Sequence, residues 1–200
     1  MTEIQERAKC KGFYKLVYYR NGTRNYVPNR VVYQIKNKRE SRTPAFLACE
    51  LYEMLSFHAK EESISLENAV LTYVPRRKSS YLKYGTDQAR ELARALSLHS
   101  GIPLAKCLIR KKGEQREQKT LSPAERVKNA RASFAALNTE VLCGKTVFLI
   151  DDIVTTGASM SACARLLLRA GAESVYCVAV ASDEINRMPK TAPLIKLEAR

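Results

Sequence analysis

Hydrophobic runs and helical repeats alternate along the chain, and this order predicts strands separated by helices. Val147–Ile150 is an apolar run that is long enough for a buried strand and too short for a helix, and Ser174–Ala181 is another. Apolar positions at helical spacing lie between the two runs, at Cys163, Leu166, Leu167 and Ala170. Gly171 then provides a helix stop. A strand, a loop, a helix and a strand in this order predict a right-handed crossover in a parallel sheet.

A second unit of the same kind lies earlier in the chain. Val70–Pro75 is predicted to be a strand, and a helix is predicted to begin near Asp87. The apolar positions of that helix are Ala89, Leu92, Ala93 and Leu96. Leu104–Ile109 and Phe134–Leu137 are predicted to be further short strands. The repeated pattern favours an α/β protein built on a parallel sheet.

The N-terminal third has a different pattern. Two runs rich in Val and Tyr, Phe13–Arg20 and Tyr26–Ile35, flank an Asn-Gly pair, which is a strong signal for a β-hairpin. A helix with one buried stripe is predicted next, with Leu47, Leu51, Met54, Leu55 and His58 on the stripe. We interpret His58 as a packed histidine. Residues 1–65 are therefore expected to form a hairpin and a helix packed on a core of residues 66–200.

The composition is that of a globular protein, with 46% hydrophobic and 27% charged residues among 200. No apolar run has the length of a membrane span and no signal peptide is evident, so we expect a cytoplasmic protein without a membrane partner. The 6 cysteines include no Cys-x-x-Cys pair, which argues against a zinc ribbon. Cys143, Cys163 and Cys177 are predicted to be small buried side chains.

The formal net charge of +14 leaves three interpretations open: nucleic acid, a polyanionic small ligand, or a basic but otherwise ordinary surface. Because the basic residues concentrate around two loops, an anionic ligand is favoured. Single-stranded DNA is not excluded.

The strand at 147–150 ends at two carboxylates, Asp151 and Asp152, and a turn rich in hydroxyls follows. Carboxylates repel phosphate but accept hydrogen bonds from hydroxyls, so this pair suits the diol of a ribose. The turn, Thr155, Thr156, Gly157, Ala158 and Ser159, offers backbone N–H groups at a helix start, which suits a phosphate. A diol beside a phosphate describes a ribose 5-phosphate. The alternative is a strand end next to an ordinary helix cap.

Two basic loops are candidates for further anion contacts. The first carries Arg76, Arg77, Lys78 and Lys83, which are predicted to bind a pyrophosphate at the carboxyl end of the preceding strand. The second spans residues 110–122 and is predicted to be a mobile lid that carries Arg110, Lys111, Lys112, Arg116 and Lys119. The alternative for both loops is a run of solvated charges.

The segment Phe148–Ser159 resembles the phosphoribosyl pyrophosphate (PRPP) motif of type I phosphoribosyltransferases. The resemblance implies a parallel-sheet core with helices on both faces. It implies that Asp151 and Asp152 are catalytic residues on the ribose hydroxyls, and that Thr155–Ser159 binds the 5-phosphate. It also implies Mg²⁺, held mainly by ligand oxygens with Asp151 as the candidate protein ligand. In many purine-salvage members an acidic residue stands where this chain has Thr155, which argues against purine salvage.

Two flanking segments, Tyr84–Ala89 and Gln118–Arg131, are similar to segments of ComF-type competence proteins. This chain departs from that pattern in two ways. The four-cysteine zinc module common in the family is missing, and Lys83–Gln88 stands where Arg-Gly-Phe-Asn-Gln is usual. The resemblance leaves two functions open: a phosphoribosyltransferase with an unidentified nitrogen acceptor, or a non-catalytic protein of DNA uptake that binds PRPP or a nucleotide together with single-stranded DNA. A homodimer is also left open.

Overall fold

The computed structural model describes residues 3–19, 29, 42–76, 85–111 and 133–183. In chain order its elements are α1 (Glu3–Ala8), β1 (Gly12–Tyr19), α2 (Arg42–Glu61), β2 (Ala69–Tyr73), α3 (Gln88–Ser100), β3 (Leu108–Arg110), β4 (Phe134–Ala136), a 3₁₀ helix (Thr139–Leu142), β5 (Thr146–Val154), α4 (Ala158–Arg169) and β6 (Ser174–Asp183).

Among these residues, a 4-stranded sheet forms the centre of the fold in the order β1-β6-β5-β2. All of its pairings are parallel. Strands β5 and β6 lie in the middle of the sheet and are buried along nearly their whole length. A central parallel strand has no solvent face, and this explains why both strands are continuous apolar runs rather than alternating ones.

Helices cover both faces of this sheet, as the resemblance implied. Helices α1 and α4 pack on one face, where they bury Val147 and Leu149 of β5. Helices α2 and α3 pack on the other face, where they bury Phe148 and Ile150. Successive strand residues point to opposite faces, so one short run supplies both hydrophobic layers. In the part of the chain that is described, no helix is long and apolar enough to cross a membrane.

Helix α3 begins where its sequence predicts. Asp87 occupies the N-cap, and its carboxylate accepts a hydrogen bond from the backbone N–H of Arg90 at 3.3 Å. Gly101 ends the helix with φ of 76°, and its N–H donates to the Ser97 carbonyl at 3.0 Å. The predicted apolar stripe is the buried face: Ala89, Leu92, Ala93 and Leu96.

The predicted strand Leu104–Ile109 is split in the structure. Leu104 forms a single parallel bridge with Leu71 at the outer side of β2. Residues 108–110 then leave that sheet and pair antiparallel with β4. Pro103 supplies a carbonyl to Leu71 but has no N–H to donate, which limits the ladder along β2 to a short stretch.

The N-terminal segment joins the central sheet. Strand β1 was predicted, but its partner in the described structure is β6, beside which it runs in parallel. The predicted second hairpin strand, Tyr26–Ile35, lies outside the described residues except for Asn29, which is helical and buried. Residues before and after position 65 therefore share one sheet.

Two of the three cysteine predictions are confirmed. Cys163 and Cys177 are fully buried, whereas Cys143 is exposed, so the prediction for Cys143 was wrong. Cys143 lies in the turn between the 3₁₀ helix and β5, where the chain runs over the surface.

Tyr14 of β1 contacts both helix α2 and the residue that follows it, and so connects them to the sheet. Its hydroxyl donates a hydrogen bond to Glu62 Oε1 at 2.8 Å, and its ring stacks on His58 with 4.2 Å between the ring centroids. His58 is thus a packed histidine, as predicted. Gly12 makes room for this ring, because a Cβ at that position would lie 2.8 Å from Tyr14.

We expect Tyr14→Phe to lower the free energy of unfolding by about 1 kcal/mol, because it removes the hydrogen bond to Glu62 and keeps the stacked ring. Urea unfolding followed by circular dichroism measures this change. Tyr18→Phe is the matched control on the same strand, where the partly buried ring lies under Lys15 Nζ at 4.5 Å. An equal loss in both variants would contradict the assignment.

Candidate functional site

The turn rich in hydroxyls lies directly at the tip of a central strand. Strand β5 ends at Val154, which pairs with Ser182 at the carboxyl edge of the sheet, and α4 begins at Ala158. Thr155 and Thr156 between them are exposed. The predicted position of this turn is confirmed, and solvent reaches its hydroxyl residues.

The start of α4 has the form of an anion site. Gly157 occupies the N-cap with φ of 69° and ψ of 1°, a left-handed conformation that favours glycine. It carries no side chain that could accept from the first amides of the helix, so the backbone N–H groups of Ala158 and Ser159 lack that cap. Amides that lack a side-chain cap and the positive end of the helix dipole favour a phosphate.

Sequence reasoning did not single out one buried polar residue in the first turn of this helix. Ser161 is 2% exposed, and its Oγ has no hydrogen-bond partner among the described residues. Its backbone N–H donates to the Gly157 carbonyl at 2.8 Å, which places it in the first turn of α4. A hydroxyl on a mostly buried helix resembles any small core residue in sequence, so no sequence signal marked it.

The two aspartates belong to the strand itself. The prediction that the strand ends at them was wrong, because Ile153 pairs with Ala181 and Val154 pairs with Ser182. The structure nevertheless brings the two carboxyl groups together. The Asp152 N–H donates to Asp151 Oδ1 at 2.9 Å.

This proximity changes the protonation of the pair. Burial raises the pKa of Asp151 well above its ordinary value of 3.8, and the neighbouring charge of Asp152 raises it further. Two neighbouring carboxylates repel each other, which favours the protonated form of one of them.

Asp152 also forms an ion pair with Arg76, in which Arg76 Nη2 donates to Asp152 Oδ2. The two side chains are 7% and 16% exposed, respectively, so water screens this pair only weakly. Arg76 lies just beyond β2, the strand next to β5. The sequence analysis assigned Asp152 to the ribose hydroxyls and Arg76 to the pyrophosphate of a ligand. In the structure these two side chains contact each other.

The structure describes only some of the other basic residues that the sequence analysis singled out. Arg77, Lys78 and Lys83 lie outside the described residues, as do Lys112, Arg116 and Lys119. Arg110 belongs to β3 rather than to the predicted lid, and its guanidinium lies 4.7 Å from the centre of the Phe134 ring. The exposed Lys111 donates its N–H to the Ser133 carbonyl at 2.8 Å, so the antiparallel ribbon extends beyond the predicted start of the lid.

The model of the phosphoribosyl transferase domain family matches residues 82–198, which is more than half of the chain. The chain belongs to this family. The resemblance to type I phosphoribosyltransferases is thereby confirmed, and the PRPP motif at residues 148–159 lies inside the matched part of the phosphoribosyl transferase domain.

Two curated relatives are similar to parts of this phosphoribosyl transferase domain. Adenine phosphoribosyltransferase of Treponema denticola is 36% identical over 87 residues, which cover 43% of this chain and 44% of the relative. Competence protein F of Haemophilus influenzae is 26% identical over 130 residues, which cover 64% of this chain and 56% of the relative. The chain thus spans about half the length of the curated relatives it matches.

Solved structures of other proteins are also similar to this chain. Adenine phosphoribosyltransferase from Leishmania tarentolae is 15% identical with a TM-score of 0.39, and the match covers 90% of this chain and 87% of that one. The HGPRT-ase of the same organism in complex with GMP is 14% identical with a TM-score of 0.39, and covers 80% and 77% of the two chains.

The raised pKa of Asp151 predicts that stability falls as the pH rises. Above its ordinary value of 3.8 the unfolded carboxyl ionises, while the folded carboxyl keeps its proton until the pH passes the raised pKa. The folded state therefore binds more protons in this window, and the free energy of unfolding decreases there with increasing pH. Asp151→Asn should be more stable than the native protein at neutral pH, and the difference should shrink toward about pH 4.

Urea unfolding at several pH values measures this difference. Glu173→Gln is the control, since it removes an equal charge at an exposed position. A gain in stability for Asp151→Asn that did not depend on pH would contradict the assigned cause.

Proposed function

We propose that this protein binds PRPP at the carboxyl edge of the sheet and transfers its phosphoribosyl group to a nitrogen acceptor, with release of pyrophosphate. One observation carries the proposal. The glycine turn, the uncapped start of α4 and the Asp151–Asp152 pair meet at the tip of β5, in a chain that belongs to the phosphoribosyl transferase domain family.

Each part of the site suits one part of PRPP. The amides of residues 158 and 159 suit the 5-phosphate, because they carry partial positive charge and lack a side-chain cap. The carboxylates suit the ribose hydroxyls, since Asp152 Oδ1 can still accept a hydrogen bond while Oδ2 pairs with Arg76. Arg76 suits the pyrophosphate, because a guanidinium binds phosphate oxygens in a fixed geometry.

This arrangement favours the charge changes of the reaction. Loss of pyrophosphate from the anomeric carbon develops positive charge on the ribose ring and negative charge on the leaving group. Asp151 and Asp152 would stabilise the ring side when ionised, and Arg76 would stabilise the leaving group. A ligand that brings a cation or hydroxyl donors to the pair also favours release of the proton held by Asp151.

Mg²⁺ fits this site only as an ion carried mostly by the ligand. Within the described ranges, no cluster of three or more His, Cys, Asp or Glu could hold a metal ion. Asp152 is occupied by Arg76, so Asp151 is the carboxylate that would complete the coordination shell. The ion would supply positive charge next to the pyrophosphate oxygens.

Titration calorimetry with PRPP and Mg²⁺, together with an assay of pyrophosphate release against purines, pyrimidines and other nitrogen nucleophiles, tests the proposal. Pyrophosphate release that depends on one acceptor is the expected result. The protein would not be a transferase of this kind if PRPP bound but no acceptor raised pyrophosphate release above the rate without enzyme.

The second candidate function is non-catalytic binding of PRPP or a nucleotide together with single-stranded DNA, in DNA uptake. It is favoured by the similarity to competence protein F over 64% of this chain and by the net charge of +14. Salt-dependent binding of single-stranded DNA without any turnover of PRPP would select this function over the first.

We expect Gly157→Ala to weaken PRPP binding at least tenfold, because a side chain disfavours the left-handed backbone at φ of 69° that presents the amides. Gly144→Ala is the matched control. Gly144 has φ of 66° at the opposite end of β5, and a Cβ there meets no atom within 4 Å.

Both variants should lose about 1 kcal/mol of stability, since both place alanine in a left-handed conformation. Only Gly157→Ala should lose affinity in titration calorimetry. Equal PRPP affinity in the two variants would remove the turn from the phosphate site.

A further inference from the structure

Gln88 is a polar side chain on the buried, apolar stripe of a helix. It is the first residue of α3 and is only 7% exposed. It precedes Leu92 by one helical turn and Leu96 by two, so it continues their buried stripe. Its Oε1 atom is buried and has no hydrogen-bond partner among the described residues. A leucine at this position would extend the stripe without the unfavourable burial of an unpaired oxygen.

The course of the chain places Gln88 at the carboxyl edge of the sheet. Helix α3 comes after the carboxyl end of β2 in the chain. Beyond the helix, the chain returns to form a parallel bridge between Leu104 and Leu71 of β2. Helix α3 therefore runs from the carboxyl edge back toward the amino edge, and its first residue lies at the carboxyl edge.

Gln88 and Asp152 also lie on the same face of the sheet. Helix α3 packs on β5 and β2, and Leu92 belongs to the same buried cluster as Ile150 of β5. Alternate residues of a strand share a face, so Asp152 follows Ile150 on that face. Gln88 is one helical turn nearer the carboxyl edge than Leu92. The amide is thereby placed over the end of the sheet where Arg76 pairs with Asp152.

The chemistry of an amide oxygen limits what can pair with Gln88. The Oε1 atom accepts hydrogen bonds and cannot donate them. Ionised pyrophosphate oxygens also only accept, so the pyrophosphate assigned to Arg76 cannot satisfy it directly. The ribose hydroxyls can donate, but the proposed function assigns them to the two aspartates. A Mg²⁺ ion carried by pyrophosphate keeps several water molecules, and each of these waters is a donor.

We propose that Gln88 is a ligand-binding residue, and that its Oε1 accepts a hydrogen bond from the water shell of a Mg²⁺ ion bound to the pyrophosphate of PRPP. The site then prefers pyrophosphate that carries the ion. The inference rests on the proposed function, because it takes the pyrophosphate to lie beside Arg76. Without such a donor the buried oxygen is unfavourable, so Gln88 increases ligand affinity and lowers the stability of the protein alone.

Urea unfolding of Gln88→Met without ligand separates a binding role from a structural one. Methionine is of similar length and has no oxygen to bury, so the variant should unfold at a higher urea concentration than the native protein. A lower urea midpoint, or a variant that does not fold, would overturn the inference. Ser56→Ala is the control, because Ser56 Oγ is also buried without a partner in the described part of the chain and lies in α2, which precedes the amino end of β2.

Titration calorimetry with pyrophosphate, in MgCl₂ and in EDTA at equal ionic strength, measures the binding role. Gln88→Met should bind magnesium pyrophosphate about tenfold more weakly than the native protein, as expected for one lost hydrogen bond. It should bind metal-free pyrophosphate with unchanged affinity, and Ser56→Ala should match the native protein in both solutions. Equal losses with and without Mg²⁺ would overturn the inference. A loss of affinity for ribose 5-phosphate would assign the donor to a ribose hydroxyl and overturn it as well.

The result for the native protein separates this inference from the proposed function. If the native protein binds pyrophosphate in neither solution, the assignment of pyrophosphate to Arg76 is wrong, and the inference fails with it. If the native protein binds pyrophosphate without preferring the magnesium form, or if Gln88→Met keeps the full preference, only the inference fails.

Discussion

The pairing of β5 with strands on both sides is the constraint on which the rest of this structure depends. β5 lies between β2 and β6, and helices cover both of its faces, so its residues from Val147 to Ile150 have no contact with water. Parallel strands that are buried in this way all end at the same edge of the sheet. Three features meet at that edge: Arg76 just beyond the end of β2, the aspartate pair and the glycine turn.

The aspartate pair sits where the sheet alone would favour apolar side chains. Asp152 is 5% exposed, and burial together with Asp152 raises the pKa of Asp151. Arg76 offsets part of the unfavourable burial of Asp152 by pairing with it. A buried acidic pair that is unfavourable by itself and partly compensated by a basic residue is typical of a binding site, where a ligand supplies further stabilisation.

The same ion pair links the two halves of the proposed ligand. The ribose hydroxyls and the pyrophosphate are expected at Asp152 and Arg76, and these two residues already contact each other. A ligand that engages both must rearrange one shared interaction rather than two separate ones. The site is thus built from the ends of two neighbouring strand-loop-helix units.

Local sequence patterns determined the units of the fold and the chemistry of the turn. The buried runs of β5 and β6, the capped helix at Asp87 and the glycine at 157 follow from short-range rules on hydrophobic period, capping and backbone conformation, so they could be predicted residue by residue. The PRPP motif could be found in the same way, because its hydroxyls and carboxylates are consecutive in the chain.

Contacts between distant residues were decided only by the tertiary structure. β1 pairs with β6 although 162 residues separate Gly12 and Ser174 at their starts, and its own hairpin signal indicated a different partner. Arg76 meets Asp152 across 76 residues, and this pairing depends on β2 lying next to β5 in parallel register. Strand order, burial and ion pairing all arise from how the elements pack, and no local pattern in the sequence encodes that packing.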